Sequence, residues 1–387
     1  MSRSPRSLLV VAGEASGDRI ASDVLAALRQ DQVLAFGLGG RGCRREGMRT
    51  LADVSDIGAM GTLDVLGRMS ALGRALGSLG TEMLLDKPRA ALLVNFSELN
   101  GHLGRILRRW GVPVLWVVAP QVWAWRAKRL QTLHASVDKL AVILPFEEAL
   151  WRGAGYDATF VGHPSFDTKK LDRIDARRRL GIKEHRRAVV VLAGSRPGEI
   201  ERMAGPLTNA AAMLIASGDV DEARVLQAPW LDERGRRTLG QAAARARIEI
   251  SEADEESGAT PLLSAFDLAL STSGTACLEA TLAGLPTVVG YRVDALTYAL
   301  GKQLIRTPFI ALPNILLGRR AFPELLQDDA TADAFAKAGR TLLAPDAKER
   351  ALSATRTLQT MLTPKEPGNF GERTARLLRP WLDAHAV

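Results

Sequence analysis

Four short clusters gather the side chains suited to chemistry, and each follows a short apolar run. The first is Gly13-Glu14-Ala15-Ser16-Gly17-Asp18. Its glycines permit a sharp strand-to-helix turn whose free N–H groups attract an anion, and Glu14 and Asp18 add carboxylates. The second cluster is Asn95-Phe96-Ser97-Glu98-Leu99-Asn100. A carboxylate there, at the carboxyl end of a buried strand, occupies the working edge of an α/β sheet, and burial would raise its pKa toward general-base duty. Glu98 could equally cap the helix that follows.

The third cluster, Gly194-Ser195-Arg196-Pro197-Gly198-Glu199, joins small residues and a hydroxyl to a fixed positive charge at a strand-to-helix turn. That combination makes an anion cradle. The fourth is Ser271-Thr272-Ser273-Gly274-Thr275-Ala276-Cys277-Leu278-Glu279. Ser273, Gly274 and Thr275 suit a phosphate, and Glu279, one turn into the helix, could accept two hydrogen bonds from a ribose diol. Two phosphate-type turns in succession specify more than either alone. The first loop, Gly13–Asp18, has neither the GxxxxGK[ST] spacing nor the GxGxxG fingerprint. His163, in Gly162-His163-Pro164, either meets a ligand or braces a hinge.

Elements that could position these clusters are legible in the hydropathy. Nearly all-apolar runs at Ser7–Ala12, Val33–Leu38, Ala90–Asn95, Val112–Ala119, Leu140–Leu144 and Thr159–Val161 alternate with helical spacing. Such runs describe strands buried on both faces of a parallel sheet. The alternation pauses over 165–186 and resumes at Ala188–Ala193, Arg224–Gln227, Ile248–Ser251, Leu268–Ser271 and Thr287–Tyr291. The expectation is α/β: two Rossmann-like, doubly wound domains, 1–164 and 187–363, joined by a linker at 165–186 and followed by a helical tail at 364–387. Two such domains facing each other would place a cleft between the carboxyl ends of their sheets.

The chain has 387 residues, with 51 basic and 43 acidic side chains and a formal net charge of +8. That composition excludes disordered, collagen-like and disulfide-scaffold classes. Two cysteines, Cys43 and Cys277, cannot make a structural zinc site, and no metal-ligand spacing is evident, so neither metal nor cofactor is expected. The amino-terminal apolar run stops at Gly13-Glu14, too early for a signal peptide. No uncharged run reaches the roughly 18–20 residues that span a bilayer. A cytoplasmic protein is expected. Leu99–Val137 holds no acidic residue but contains Arg105, Arg108, Arg109, Arg126, Lys128 and Arg129 with Trp110, Trp116, Trp123 and Trp125. It suits an anionic partner such as phosphate groups or a membrane surface, or else is a solvated basic face over a tryptophan core. The segment 58–80, apolar at Met60, Leu63, Leu66 and Met69, fits either a surface accepting acyl chains or a core helix.

Taken together, these motifs resemble the lipid-A-disaccharide synthase family, glycosyltransferases of the two-Rossmann-domain GT-B fold. The resemblance rests on VAGEASGD (11–18), APQVWAWRAKR (119–129), ILPFE (143–147), VGHP (161–164), GSRPGEI (194–200), STSGTACLEATLAGLPTVVGYR (271–292) and RTPFIALPNILLGRRAFPELLQ (306–327). It implies transfer of a diacylglucosaminyl group from its UDP conjugate to the 6-hydroxyl of diacylglucosamine 1-phosphate, by inversion, at the cytoplasmic face of the inner membrane. The family usually carries Asp-x-Pro-Asp-Phe-Asn where this chain has residues 95–100. The carboxylate at Glu98 is therefore one methylene longer than the family's catalytic aspartate, and Asp18 and Glu14 are the alternative bases. The resemblance further implies UDP-sugar contacts at Ser195, Arg196, Ser273, Gly274, Thr275, Glu279 and Asn314. Acceptor contacts fall at Ser16, Gly17, Asn100 and His163, and lipid contacts at Met60, Leu63, Leu66, Met69, Trp123, Trp125 and Arg126. No nucleic acid partner is expected. A UDP-sugar 2-epimerase of the same fold and a non-catalytic basic protein are the competing readings.

Overall fold

A computed structural model describes residues 6–53, 65–125, 131–254, 257–294 and 307–384. Side chains are further undescribed at 15, 65–72, 97–98 and 124–125. The chain forms two compact units, Met1–Pro164 with Pro364–Val387, and Ser165–Thr363.

The first unit is a seven-stranded parallel sheet in the order β3-β2-β1-β4-β5-β6-β7. Its strands are β1 (Arg6–Ala12), β2 (Val33–Gly39), β3 (Arg49–Asp53), β4 (Ala90–Val94), β5 (Val114–Val117), β6 (Lys139–Val142) and β7 (Ala158–Phe160). Alternation along β1 divides its burial between two cores. Leu9 and Val11 pack with helices α3 (Val65–Leu85), α4 (Ser97–Arg109) and α5 (Pro145–Gly153), together with Trp116 and Trp151. Leu8 and Val10 pack on the other face with α1 (Ala15–Ala27) and the C-terminal helix Phe370–Asp383. Because β1 and β4 are covered on both sides, they read as continuous apolar runs rather than alternating ones.

That C-terminal helix starts in a capping box. Asn369 accepts from the Glu372 N–H, and the Glu372 carboxylate accepts from the Asn369 N–H. Its buried Arg373 donates to the Val161 carbonyl at 2.6 Å, and Arg379 meets Asp31 at 3.0 Å. The tail is thus an integral wall of the first unit, closing the apolar face that β1 and α1 leave open.

The second unit is a six-stranded parallel sheet in the order β10-β9-β8-β11-β12-β13. Its strands are β8 (Ala188–Leu192), β9 (Glu222–Gln227), β10 (Glu249–Glu252), β11 (Leu268–Thr272), β12 (Thr287–Tyr291) and β13 (Glu324–Leu326). Residues 165–186 are built into this unit and include α6 (Arg173–Leu180). Arg177 of α6 is buried, pairs with Asp267 at 3.0 Å and donates to the carbonyls of Ala265, Lys183 and Glu184. Its pKa is lowered, first by desolvation and then by Arg173, although Asp267 acts in the opposite sense. The working turns are followed by α7 (Pro197–Ala216) and α9 (Thr275–Leu282), with α8 (Glu233–Ala246) lying between them in sequence.

Candidate active site

In a doubly wound sheet the two strands that begin opposite windings diverge at their carboxyl ends and leave a crevice there. In the first unit those strands are β1 and β4, and they are followed by the Gly13–Asp18 and Asn95–Asn100 clusters. In the second unit they are β8 and β11, followed by Gly194–Glu199 and Ser273–Glu279. The topology therefore brings the four clusters together in two pairs, one pair per switch point. Each pair opens two helices whose N-terminal N–H groups face the same edge, a geometry that favours negative charge.

Contacts within the first pair are tight. A methyl group on Gly13 would lie 2.3 Å from the Phe96 ring, so only glycine lets the two loops close on each other. Asn95 and Phe96 both take left-handed backbone conformations, with φ of 53° and 42°. Just past the end of the neighbouring strand β5, Val118 does the same, at φ 59°. Left-handed non-glycine residues cost about 1–3 kcal/mol each and persist only where the surroundings enforce them. Asn100 supplies that enforcement. It is fully buried, and its Nδ2 donates to the carbonyls of Asn95 at 2.7 Å and Val94 at 3.3 Å. The turn so held places Glu98 as the second residue of α4.

Asp18 has a different occupation. Its carboxylate accepts from the N–H groups of Gly40 at 2.6 Å, Gly42 at 2.7 Å and Cys43 at 3.1 Å. It thereby caps α2 (Arg41–Arg45) and ties the first loop to the glycine turn after β2. Beside it, burial and the Asp18 charge push the Cys43 thiol far up, so Cys43 stays protonated. Glu14 is the half-buried N-cap residue of α1, Ser16 is exposed in its first turn, and Gly17 lies against Ala12 and Val94. His163 is buried, and desolvation, followed by the nearby Arg19 charge, lowers its pKa to about 4. It is a neutral imidazole at pH 7.

In the second pair, Ser195 and Arg196 are exposed on the turn after β8, with the Arg196 guanidinium 3.5 Å from Glu199. Gly194 has φ 99°, and a methyl there would also strike Glu199 at 2.7 Å. Gly274, at φ 146°, opens α9, leaving Thr275 exposed at its first position. Ser273 donates to the Ile310 carbonyl at 2.7 Å, which fixes the loop 307–311 over this turn. Glu279 is buried and accepts from Ser165 Oγ at 2.9 Å. Ser165 carried no sequence signal, because 114 residues separate it from Glu279. Asn314 is fully buried. It donates to the Phe322 carbonyl and Glu324, and accepts from the N–H groups of Ala321 and Phe322. All four of its hydrogen bonds are internal, so it braces this loop and presents no amide to a ligand.

Glu147 is a buried carboxylate that the sequence reading quoted in a motif but gave no role. It accepts from the Leu144 N–H at 3.1 Å and from the Trp123 indole at 2.9 Å. Desolvation dominates these favourable contacts and raises its pKa to about 7. Trp123 is thereby anchored, edge-on to Phe146. Met60, Leu63 and Arg126 lie outside the described residues, and the side chains of Leu66, Met69, Trp125 and Glu98 are likewise undescribed. Among the described residues no three His, Cys, Asp or Glu side chains converge to hold a metal ion.

Paired Rossmann-like units with anion-type turns at both switch points define the GT-B architecture of nucleotide-sugar enzymes. Two solved structures share this fold: Arabidopsis thaliana UGT89C1 complexed with UDP, at TM-score 0.65 and 14% identity, covering 98% of this chain and 100% of that one, and a Neisseria meningitidis UDP-GlcNAc 2-epimerase bound to UDP-GlcNAc, at TM-score 0.61 and 11% identity, covering 98% and 99%. Sequence narrows the class. The family model described as lipid-A-disaccharide synthetase matches residues 8–367. The lipid-A-disaccharide synthase of Myxococcus xanthus is 38% identical over 360 residues, 90% of each chain. That of Geobacter sulfurreducens is 34% identical over 377 residues, 96% of each. The chain belongs to the lipid-A-disaccharide synthase family and is a UDP-sugar glycosyltransferase.

Proposed function

We propose that this enzyme transfers 2,3-diacylglucosamine from UDP-diacylglucosamine to the 6-hydroxyl of 2,3-diacylglucosamine 1-phosphate. The products are the β-1,6-linked disaccharide phosphate and UDP. The observation that carries the reading is the pairing of all four clusters at two switch points, within a chain of this family.

Each unit contributes the chemistry its own switch point suits. In the first, Glu98 takes the proton from the acceptor hydroxyl as that oxygen attacks the anomeric carbon opposite the leaving UDP. Asp18 and Glu14 shape the adjoining loop; with three N–H groups on its carboxylate, Asp18 is poorly placed to accept a proton. Ser16, Gly17 and the neutral His163 border the acceptor. In the second unit, Ser195, Arg196, Ser273, Gly274 and Thr275 stabilise the charge that builds on the diphosphate, the electrostatic contribution that often dominates catalysis. Glu279, oriented by Ser165, receives the ribose hydroxyls, and Asn314 holds the loop behind Ser273.

Met60, Leu63, Leu66 and Met69 accept acyl chains in this reading, and Trp123, Trp125 and Arg126 are the further lipid contacts. The enzyme works as a peripheral protein on the cytoplasmic face of the inner membrane. Among the described residues no helix is long and apolar enough to cross a membrane. Incubating the purified protein with both acylated substrates should yield the disaccharide phosphate by mass, with one UDP released per product. Epimerisation of a soluble UDP-sugar with no disaccharide formed, or failure to bind any uridine nucleotide, would overturn the proposal.

A further inference from the structure

The outward face of α4 is unlike that of an ordinary solvated helix. Leu103 and Leu107 are buried in the core, while His102, Arg105, Ile106, Arg109 and the following Trp110 are exposed. Their spacing places all five on one stripe. Ile106 is 47% and Trp110 40% exposed, and neither Arg105 nor Arg109 has a carboxylate partner among the described residues. The last turn of α3 adds Leu84 and Leu85, 76% and 78% exposed.

These two helix ends are neighbours. They lead into β4 and β5, which are paired in parallel, and both helices feed the same core. Lys87, just beyond α3, reaches to 3.5 Å of the position a methyl on Gly111 would occupy. Four apolar tips and three cations therefore share the rim at the amino-terminal ends of β4 and β5. The nearby acids offset this charge little. Glu82 is paired with Arg49 and Asp138 with Arg108, leaving Asp86 exposed between Leu85 and Lys87. An open cavity of about 470 Å³ between Arg105, Arg108, Arg109, Gly111, Pro113 and Asp138 has room for a headgroup phosphate.

We propose that this rim, centred on Leu84, Leu85, Arg105, Ile106, Arg109 and Trp110, is the surface on which the protein lies against an anionic phospholipid bilayer. The inference rests on the peripheral-membrane reading above and names the face that reading leaves open. Exposed arginines meet anionic headgroups, while tryptophan and leucine settle at the headgroup–acyl boundary. A nucleic acid would be served by the arginines but would leave the two exposed leucines in water. Helix α3 also joins Leu66 and Met69, expected to meet acyl chains, to Leu84 and Leu85 at its far end.

The rim is at the opposite end of the strands from the switch-point clusters, which allows a clean test. The full-length protein is sedimented with phosphatidylcholine vesicles, with or without about one-third phosphatidylglycerol. Native protein should bind the anionic vesicles and release with salt. Arg105→Gln with Arg109→Gln, and separately Leu84→Ser with Leu85→Ser, should each lower partitioning by about tenfold or more. Turnover on detergent-dispersed substrates should stay at the native level. If native protein binds and both double variants bind equally well, this face is wrong while peripheral association stands. If native protein binds neither vesicle, association itself fails. Retention by single-stranded RNA in place of vesicles, lost in the arginine variant, would reassign the face.

Discussion

Replacing Asn100 with alanine tests whether the strained turn at the end of β4 positions Glu98, the proposed base. The native amide is fully buried and donates to two carbonyls, Asn95 at 2.7 Å and Val94 at 3.3 Å. Removing it forfeits two hydrogen bonds at about 1 kcal/mol each and leaves buried acceptors unpaired, a total cost of about 2–4 kcal/mol. For a unit of this size that lowers the melting temperature by about 5–10 °C. Without the clamp, the left-handed residues Asn95 and Phe96 can relax, and Glu98 two residues on moves with them. A displacement near 1 Å at a catalytic group costs about 10²-fold in rate. Turnover should therefore fall by roughly that factor while UDP affinity, which we propose is set in the other unit, holds constant in calorimetry. Asn100→Asp keeps the shape but turns oxygen toward two carbonyls, so it should be no better than alanine. Native melting temperature in the alanine variant would refute the hydrogen-bond account. Lost stability with turnover within about twofold of native would refute the link to the base.

Two further outcomes follow from the same geometry. Arg196→Ala should weaken UDP binding about tenfold, as loss of a charge-assisted phosphate contact does, while the melting temperature stays put because the Arg196 side chain is 67% exposed and its contact with Glu199 is long, at 3.5 Å. Unchanged affinity in calorimetry would remove Arg196 from the cradle. Glu147 contributes a pH signature. Its pKa is raised from 4.5 to about 7 by burial, so the fold favours the protonated form. That contribution is complete below pH 4.5 and is lost as pH rises through about 7. Melting temperatures measured from pH 5 to 8 should thus fall for native protein relative to Glu147→Gln, by an amount equivalent to at most about 3 kcal/mol. Parallel profiles for the two proteins would show that Glu147 does not titrate in this range.

The sheets were legible where strands are buried on both faces. The Leu-Leu-Val-Val-Ala end of β1 and the Ala-Val-Val-Val-Leu of β8 declare themselves by composition. The strands β3 and β13 were missed. Both lie at sheet edges, neither contains a buried residue, and β13 is three residues long, so burial left no periodic mark on them. The four clusters were legible because strand, small-residue turn and helix follow one another in sequence. Their pairing was not, since it depends on strand order. Asp18 and Asn314 show a second limit. Residue type identifies a hydrogen-bonding group, but which N–H or carbonyl satisfies it is decided by the folded backbone, and in both cases the partner is internal. The 165–186 segment looked like a linker because its charge is conspicuous, yet Arg177 is buried with Asp267 and three carbonyls satisfying it.

The most direct test of the mechanism is Glu98→Gln, with disaccharide formation followed by mass and UDP affinity by calorimetry on the same preparation. The amide keeps the side chain's size and cannot take a proton. Turnover should drop by about two orders of magnitude or more, as expected when a general base is lost, with UDP affinity unchanged. Near-native turnover would contradict the assignment of the base and, with it, the account of how the first switch point acts.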